Sequence, residues 1–189
     1  LETSSPDEGK AQFKYRKDGQ IRFSQNSKQA LVNEYSYTNY DSLGRPTESG
    51  VLQSAAFDTA NPDQAALPSG SKKEQHFTLY DTPDITGLDA LKSSGQLSHT
   101  YKTQKYVAGN VSKTWTQNPD TNTTWYSYDA YGRVTWIIQD IEGLGVKTID
   151  YQYDFARGQV TKVSYQKSKP DELFMHRYTY NAAGQLAQV

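Results

Sequence analysis

The stretch Tyr126-Ser127-Tyr128-Asp129-Ala130-Tyr131-Gly132-Arg133-Val134 decides the fold. Side chains of a strand alternate between its two faces, so a Tyr-x-Tyr pair places two rings on the same face. The Asp that follows starts a turn by bonding its own downstream backbone. The glycine supplies the positive φ that such a turn commonly needs. The long polar residue after the glycine is expected to face out, and the aliphatic residue beyond it to face in again. One strand, one turn and the start of a second strand are therefore written in nine residues.

The pattern recurs along the chain. Clear copies are Tyr151-Gln152-Tyr153-Asp154-Phe155-Ala156-Arg157-Gly158-Gln159-Val160 and Tyr178-Thr179-Tyr180-Asn181-Ala182-Ala183-Gly184-Gln185-Leu186. Earlier ones are Phe13-Lys14-Tyr15 with Gly19-Gln20-Ile21, and Tyr40-Asp41-Ser42-Leu43-Gly44-Arg45-Pro46. Two looser copies are read as Tyr80-Asp81 with Gly95-Gln96-Leu97 beyond an insertion, and Tyr106 with Gly109-Asn110-Val111. The tyrosines on this register are 15, 40, 80, 106, 128, 153 and 180, with intervals of 25, 40, 26, 22, 25 and 27. A period near 25 holds two short strands and two turns, which is one β-hairpin. Such a unit cannot bury its face alone and must stack on its neighbours.

The flanks extend this reading. Val134, Trp136 and Ile138 alternate with Arg133, Thr135 and Ile137, and Ile141 to Gly145 reads as a turn. Lys147, Ile149, Tyr151 and Tyr153 return, and Thr161, Val163 and Tyr165 alternate again. After a turn over 168–172, Phe174, His176, Tyr178 and Tyr180 complete an antiparallel meander. The fold class expected is all-β, tandem hairpins in a curved antiparallel sheet. Strands fill 1–53 and 77–189, an Ala/Pro/Ser-rich insertion or loop occupies 54–76, and one short helix lies near 84–92, capped by Asp84 or Thr86.

Composition narrows the function classes. Fifteen tyrosines and 13 glycines among 189 residues argue against disorder, because disordered segments are poor in aromatics. A mean hydropathy of -0.84 and 35% hydrophobic content leave no apolar run long enough for a membrane helix. Twenty basic and 21 acidic side chains, interspersed, leave no basic footprint for nucleic acid and no polybasic membrane patch. No cysteine is present, so no disulfide framework exists. The start Leu1-Glu2-Thr3-Ser4-Ser5 shows no signal peptide and reads as part of a longer polypeptide. The low hydrophobicity suits a thin wall, wetted on one face, better than a thick core.

No catalytic, cofactor-binding or metal site stands out. His76, His99 and His176 lack ligand partners at metal-site spacing. Asp81, Asp84 and Asp89 lack the calcium-loop glycine and closing Glu, so turn or cap duty is expected. Asp140 and Glu142 could be a glycosidase pair, but they sit in a Gly-rich connection and read as solvated turn residues. Gly143-Leu144-Gly145-Val146-Lys147-Thr148 lacks the spacing of a phosphate loop and leads into a strand. Trp115, Trp125 and Trp136 are expected to pack on the sheet. The other possibility for these rings and the tyrosines is a sugar platform, which would make the chain a surface carbohydrate-binding or adhesion module.

On these residues the chain resembles the Rhs/YD-repeat proteins, whose repeat is built on Tyr-Asp followed by Gly-Arg and an aliphatic residue. The resemblance covers most of the chain and is strongest in Tyr126 to Val134 and in Ile137-Ile138-Gln139-Asp140-Ile141-Glu142-Gly143-Leu144-Gly145. The latter, with Tyr35-Ser36-Tyr37 and Leu43-Gly44-Arg45-Pro46, is similar to the branch found in bacteria that export proteins by the type IX system. Tyr106 lacks its Asp, Pro46 replaces the aliphatic residue, and 54–71 breaks the period. The resemblance implies repeats that wind into a hollow spiral shell, secreted or on the cell surface, often enclosing a C-terminal toxin. It implies no catalysis in this segment. The implied partners are neighbouring YD repeats of the same parent chain, an encapsulated toxin, or a surface glycan. The family's self-cleaving region and its toxin tip find no matching segment here.

Overall fold

Each repeat turn joins two strands in the computed structural model, which describes residues 1–5, 9–53 and 57–189. The strands are β1 (Glu2–Ser5), β2 (Gly9–Tyr15), β3 (Ile21–Asn26), β4 (Glu34–Tyr40), β5 (Pro46–Gln53), β6 (Ser71–Tyr80) and β7 (Val111–Gln117). They continue as β8 (Thr123–Tyr128), β9 (Val134–Ile141), β10 (Gly145–Tyr153), β11 (Val160–Tyr165), β12 (Phe174–Arg177), β13 (Thr179–Tyr180) and β14 (Leu186–Gln188). The helices are α1 (Ser27–Leu31) and α2 (Ile85–Ser93), with a 3-10 turn at Pro170–Glu172. Strands β1 to β12 form one antiparallel sheet in chain order, so the fold is all-β and the sheet is not closed into a barrel. The short pair β13–β14 stands as a second sheet.

Strand β6 begins at Ser71, inside the stretch read from composition as a loop to residue 76. Lys72 and Lys73 pair with Leu52 and Val51 of β5, so backbone pairing continues through a polar segment that apolar alternation could not mark. Residues 54–56 of that insertion lie outside the described residues. Helix α2 carries Asp84 at its N-cap, where the carboxylate accepts the Gly87 N–H at 3.2 Å. Helix α1 is held by a capping box. Gln29 N–H donates to Asn26 Oδ1 at 2.8 Å, and Asn26 N–H donates to Gln29 Oε1 at 3.0 Å.

The chain divides into two compact units, Leu1–Thr78 with Trp115–Thr121, and Leu79–Thr114 with Asn122–Val189. In the first, Phe23, Tyr35, Tyr37 and Leu52 bury one sheet face against Phe57 and Ala60 of the insertion, with Leu67 packed alongside. The insertion is therefore part of a core, and Lys14 Nζ ties it down by donating to Asp58 O at 2.7 Å and Ala60 O at 3.1 Å. Trp115 stacks on Phe77 at 4.8 Å in the same unit.

In the second unit, Leu88 and Leu91 of α2, with Leu97 and Tyr101 beyond it, cover Trp125, Ile138 and Val146 of β8, β9 and β10. The thin wall expected from hydropathy is thus corrected. In each unit an insertion supplies the second layer, because a sheet face this apolar is not stable against water.

Candidate functional site

The repeat turn is built in the same way in several copies. At Asp129, the backbone N–H donates to Arg133 O at 2.9 Å, and Gly132 N–H donates back to Asp129 O at 3.0 Å. The Asp129 carboxylate accepts the Tyr131 and Arg133 N–H groups at 2.9 and 3.0 Å, and Arg133 Nε at 2.6 Å. Asp41 repeats this with Gly44, Leu43 and Arg45, and Asn181 with Gly184 and Gln185. These donors hold the Asp41 carboxyl below its ordinary range, led by the Arg45 N–H. Burial works to raise Asp129, but its Arg133 and Tyr131 donors outweigh it and the carboxyl again lies low. At Asp154 the longer turn still closes, through Asp154 N–H to Gln159 O at 2.8 Å and Gly158 N–H to Asp154 O at 3.0 Å. In the first copy Arg16 takes the Asp position, and Asp18 supplies the side-chain oxygen to Gln20 N–H at 3.1 Å.

Two loose copies merge into one. Asp81 N–H donates to Asn110 O at 3.1 Å, and Gly109 N–H donates to the Asp81 carboxylate at 2.7 Å. The first is the bond that closes the other turns; in the second the Asp81 carboxylate takes the glycine N–H that the backbone carbonyl takes elsewhere. Tyr80, Asp81 and Gly109 therefore belong to a single repeat, split by residues 82–108, and Gly95 does not close it. Gly95 instead follows α2, its N–H bonded to Lys92 O at 3.1 Å. Tyr106 is 57% exposed and lies in the insertion, not on a strand. The repeat register residues are accordingly Tyr15, Tyr40, Tyr80, Tyr128, Tyr153 and Tyr180 with Gly19, Gly44, Gly109, Gly132, Gly158 and Gly184.

Contacts between repeats are more telling than the turns. Tyr40 Oη donates to Ile21 O at 2.7 Å, Tyr128 to Val111 O at 2.8 Å, Tyr153 to Val134 O and Tyr180 to Val160 O, each at 2.7 Å. In every case the acceptor is the carbonyl of the aliphatic residue in the preceding repeat. Burial raises the Tyr128 and Tyr153 hydroxyls above their ordinary pKa, which keeps them as donors.

The polar residue after each glycine does not simply face out. Gln20 Nε2 reaches Gly44 O at 2.6 Å, Gln159 Nε2 reaches Gly184 O at 2.7 Å, and the Arg133 guanidinium lies 4.5 Å over the Tyr153 ring. Facing out was the expectation for an isolated hairpin; stacking the next hairpin alongside gives these side chains a carbonyl or a ring to meet.

Sequence reasoning also missed the bulge. Pairing shifts by one residue next to Tyr15, Tyr40, Tyr128, Tyr153 and Tyr180. The extra residue is a threonine in three of these copies, and it donates to the carbonyl preceding the tyrosine, as does Ser112 at the matching place in the sequence. Thr135 reaches Ser127 O at 3.1 Å, Ser112 reaches Leu79 O at 3.1 Å, Thr161 reaches Gln152 O at 3.3 Å and Thr47 reaches Asn39 O at 3.4 Å. The Ser or Thr directly after the aliphatic residue is the signal that could have found it.

The residues weighed for chemistry fall elsewhere. His176 lies in a row of rings with Phe174 at 4.8 Å and Tyr178 at 6.2 Å. Among the described residues no three His, Asp or Glu side chains converge as metal ligands. Asp84 is a cap that also accepts Lys113 Nζ at 2.7 Å and Trp125 Nε1 at 2.9 Å. Asp140 lies within β9, paired with Thr123 and Val146, and so is a strand residue and not the turn residue expected, while Glu142 N–H donates to Asn122 Oδ1 at 3.1 Å. Beside the 82–108 insertion lies an open cleft of about 530 Å3 lined by Tyr101, Trp136, Asp150, Lys167 and Ser168. Tyr101 Oη donates to Asp150 Oδ2 at 2.5 Å, and burial with that carboxylate pushes its pKa up to about 12.

No known family model matches the chain, and no curated protein matches it. Among solved structures, a crystal structure of TcdB2-TccC3-Cdc42 matches 98% of this chain and 12% of its own, at 12% identity and a TM-score of 0.25. A crystal structure of TcdB2-TccC3 without its hypervariable C-terminal region gives the same coverage and identity, with a TM-score of 0.24. The chain thus spans about an eighth of the length of the structures it matches.

Proposed function

We propose that the chain is a non-catalytic wall segment of a large exported protein of the Rhs/YD-repeat type. Its role is to form part of a β-shell that encloses or presents a C-terminal toxin or effector, outside the cell or at its surface. The hydroxyl-to-carbonyl bond from Tyr40, Tyr128, Tyr153 and Tyr180 to the repeat before each of them carries this reading. Such contacts spend the signature side chains on cohesion between neighbours, which is what a stacked repeat array requires. Electron microscopy of the parent protein, with an antibody fragment bound to residues 124–189, tests it. The label is expected on the wall of a hollow particle. A label on a separate folded domain outside any such particle contradicts the reading.

The cleft beside Trp136 favours a second reading, a surface glycan module. An indole next to a carboxylate, a phenol and an ammonium can hold a sugar ring by its apolar face and its hydroxyls. Titration with a panel of polysaccharides, followed by tryptophan fluorescence, is expected to give a saturable change that Trp136→Ala abolishes if this reading holds. No response across the panel removes it.

A further inference from the structure

Arg22 occupies the bulge position of the first repeat, where four other copies carry Ser or Thr. It is 4% exposed, and among the described residues no carboxylate ion-pairs with it. Nη1 donates to Thr38 O at 2.6 Å and to Asn39 Oδ1, and Nη2 donates to Ala65 O at 3.2 Å. A guanidinium has five N–H donors, so the Nε–H and one Nη2–H are left over. Glu48, the carboxylate deep in this unit, is committed elsewhere. It accepts Tyr37 Oη and Asn39 Nδ2 at 2.7 Å, Lys72 Nζ at 2.9 Å and Gln75 Nε2 at 3.1 Å.

Arg22 lines a half-open cavity of about 260 Å3, together with Arg16, Asn39, Tyr40, Asp63 and Ala65. Arg16 stands with its guanidinium 5.3 Å over the Tyr40 ring and shares its charge with Asp18 at 3.0 Å. Asp63 turns Oδ1 to the Lys17 N–H at 2.8 Å. Burial, and then the charge of Arg16, pull the Arg22 pKa below its ordinary value, and the nearby Glu48 carboxylate offsets only part of that cost.

We propose that this cavity is a binding site for a small oxyanion group, a phosphate or a carboxylate, held by the spare donors of Arg22 and by Arg16. Planar guanidinium groups bind both by paired charge-assisted hydrogen bonds. The volume is several times the ~30 Å3 share of a water molecule, enough for either group.

Calorimetric titration of the whole chain with inorganic phosphate, and in a second arm with acetate, tests the site at ionic strength held constant with sodium chloride. Saturable binding at one site is expected, and the tighter arm identifies the group. Arg16→Gln, a change at a half-exposed side chain, is expected to weaken it by about threefold without altering the melting temperature. Asp63→Asn is expected to strengthen it. Heats no different from sodium chloride alone, or saturable binding untouched by both substitutions, overturn the proposal.

Discussion

At the scale of single residues, Tyr153 shows what the repeat tyrosine is for. Its ring half-buries on the sheet, and its hydroxyl meets the Val134 carbonyl of the preceding repeat at 2.7 Å. Tyr153→Phe keeps the ring and loses the bond, so urea unfolding should show a loss of about 1 kcal/mol. Tyr131, 72% exposed with its ring under Arg133, is the control, and Tyr131→Phe should leave stability unchanged. The turn glycines give a second contrast. Gly132 and Gly44 share a φ of +77°, but a Cβ at Gly132 meets nothing within 4 Å, whereas one at Gly44 falls 2.8 Å from Gln20 Nε2. Gly132→Ala should cost about 1 kcal/mol for the left-handed backbone alone. Gly44→Ala should cost more, and Gln20→Ala should recover part of the difference in a double-mutant cycle. Tyr, Asp and Gly were legible because they serve their own hairpin. The reach of Gln20 and Arg133 was not, because their partners lie about 20 residues away in the chain.

Among the elements, the insertion over 82–108 is the one whose sequence was read only in part. The helix was legible, since Leu88 and Leu91 share a face and Asp84 stands at the cap. Its place inside one repeat was not, because Gly95 and Tyr106 imitate repeat residues at plausible spacing. Only the long-range bonds from Asp81 to Asn110 and Gly109 separate the imitation from the repeat. The insertion is pinned by Asp84, which serves the helix, Lys113 and Trp125 together. Burial works to raise its pKa, but these donors outweigh it and hold the carboxyl low. A depressed pKa contributes stability above the unfolded value of about 3.9, and the contribution is lost as pH falls through the folded value. Acid titration of the melting temperature should therefore fall more gently in Asp84→Asn than in the parent chain. Equal slopes would mean that the cap carries no such coupling.

Across the whole molecule, order follows from hairpins that pair with their chain neighbours from β1 to β12. This much was legible from period and alternation. The two cores were not, because Phe57, Ala60 and Leu67 sit in a stretch whose composition reads as loop, yet they pack on Phe23, Tyr35 and Leu52. Low mean hydropathy reflects the polar staples between repeats, and each core is small because its second layer is an insertion. One closing bond, from the N–H of the turn's first residue to the carbonyl of the residue after the glycine, runs through the array and survives insertion at residues 82–108. Amide hydrogen exchange of the labelled chain, followed residue by residue by NMR, tests it most directly. The Asp81 and Gly109 amides are expected to exchange as slowly as those of Asp129 and Gly132, and the Tyr106 amide to exchange fast. Rapid exchange at Asp81 and Gly109, with protection at Tyr106, would contradict it.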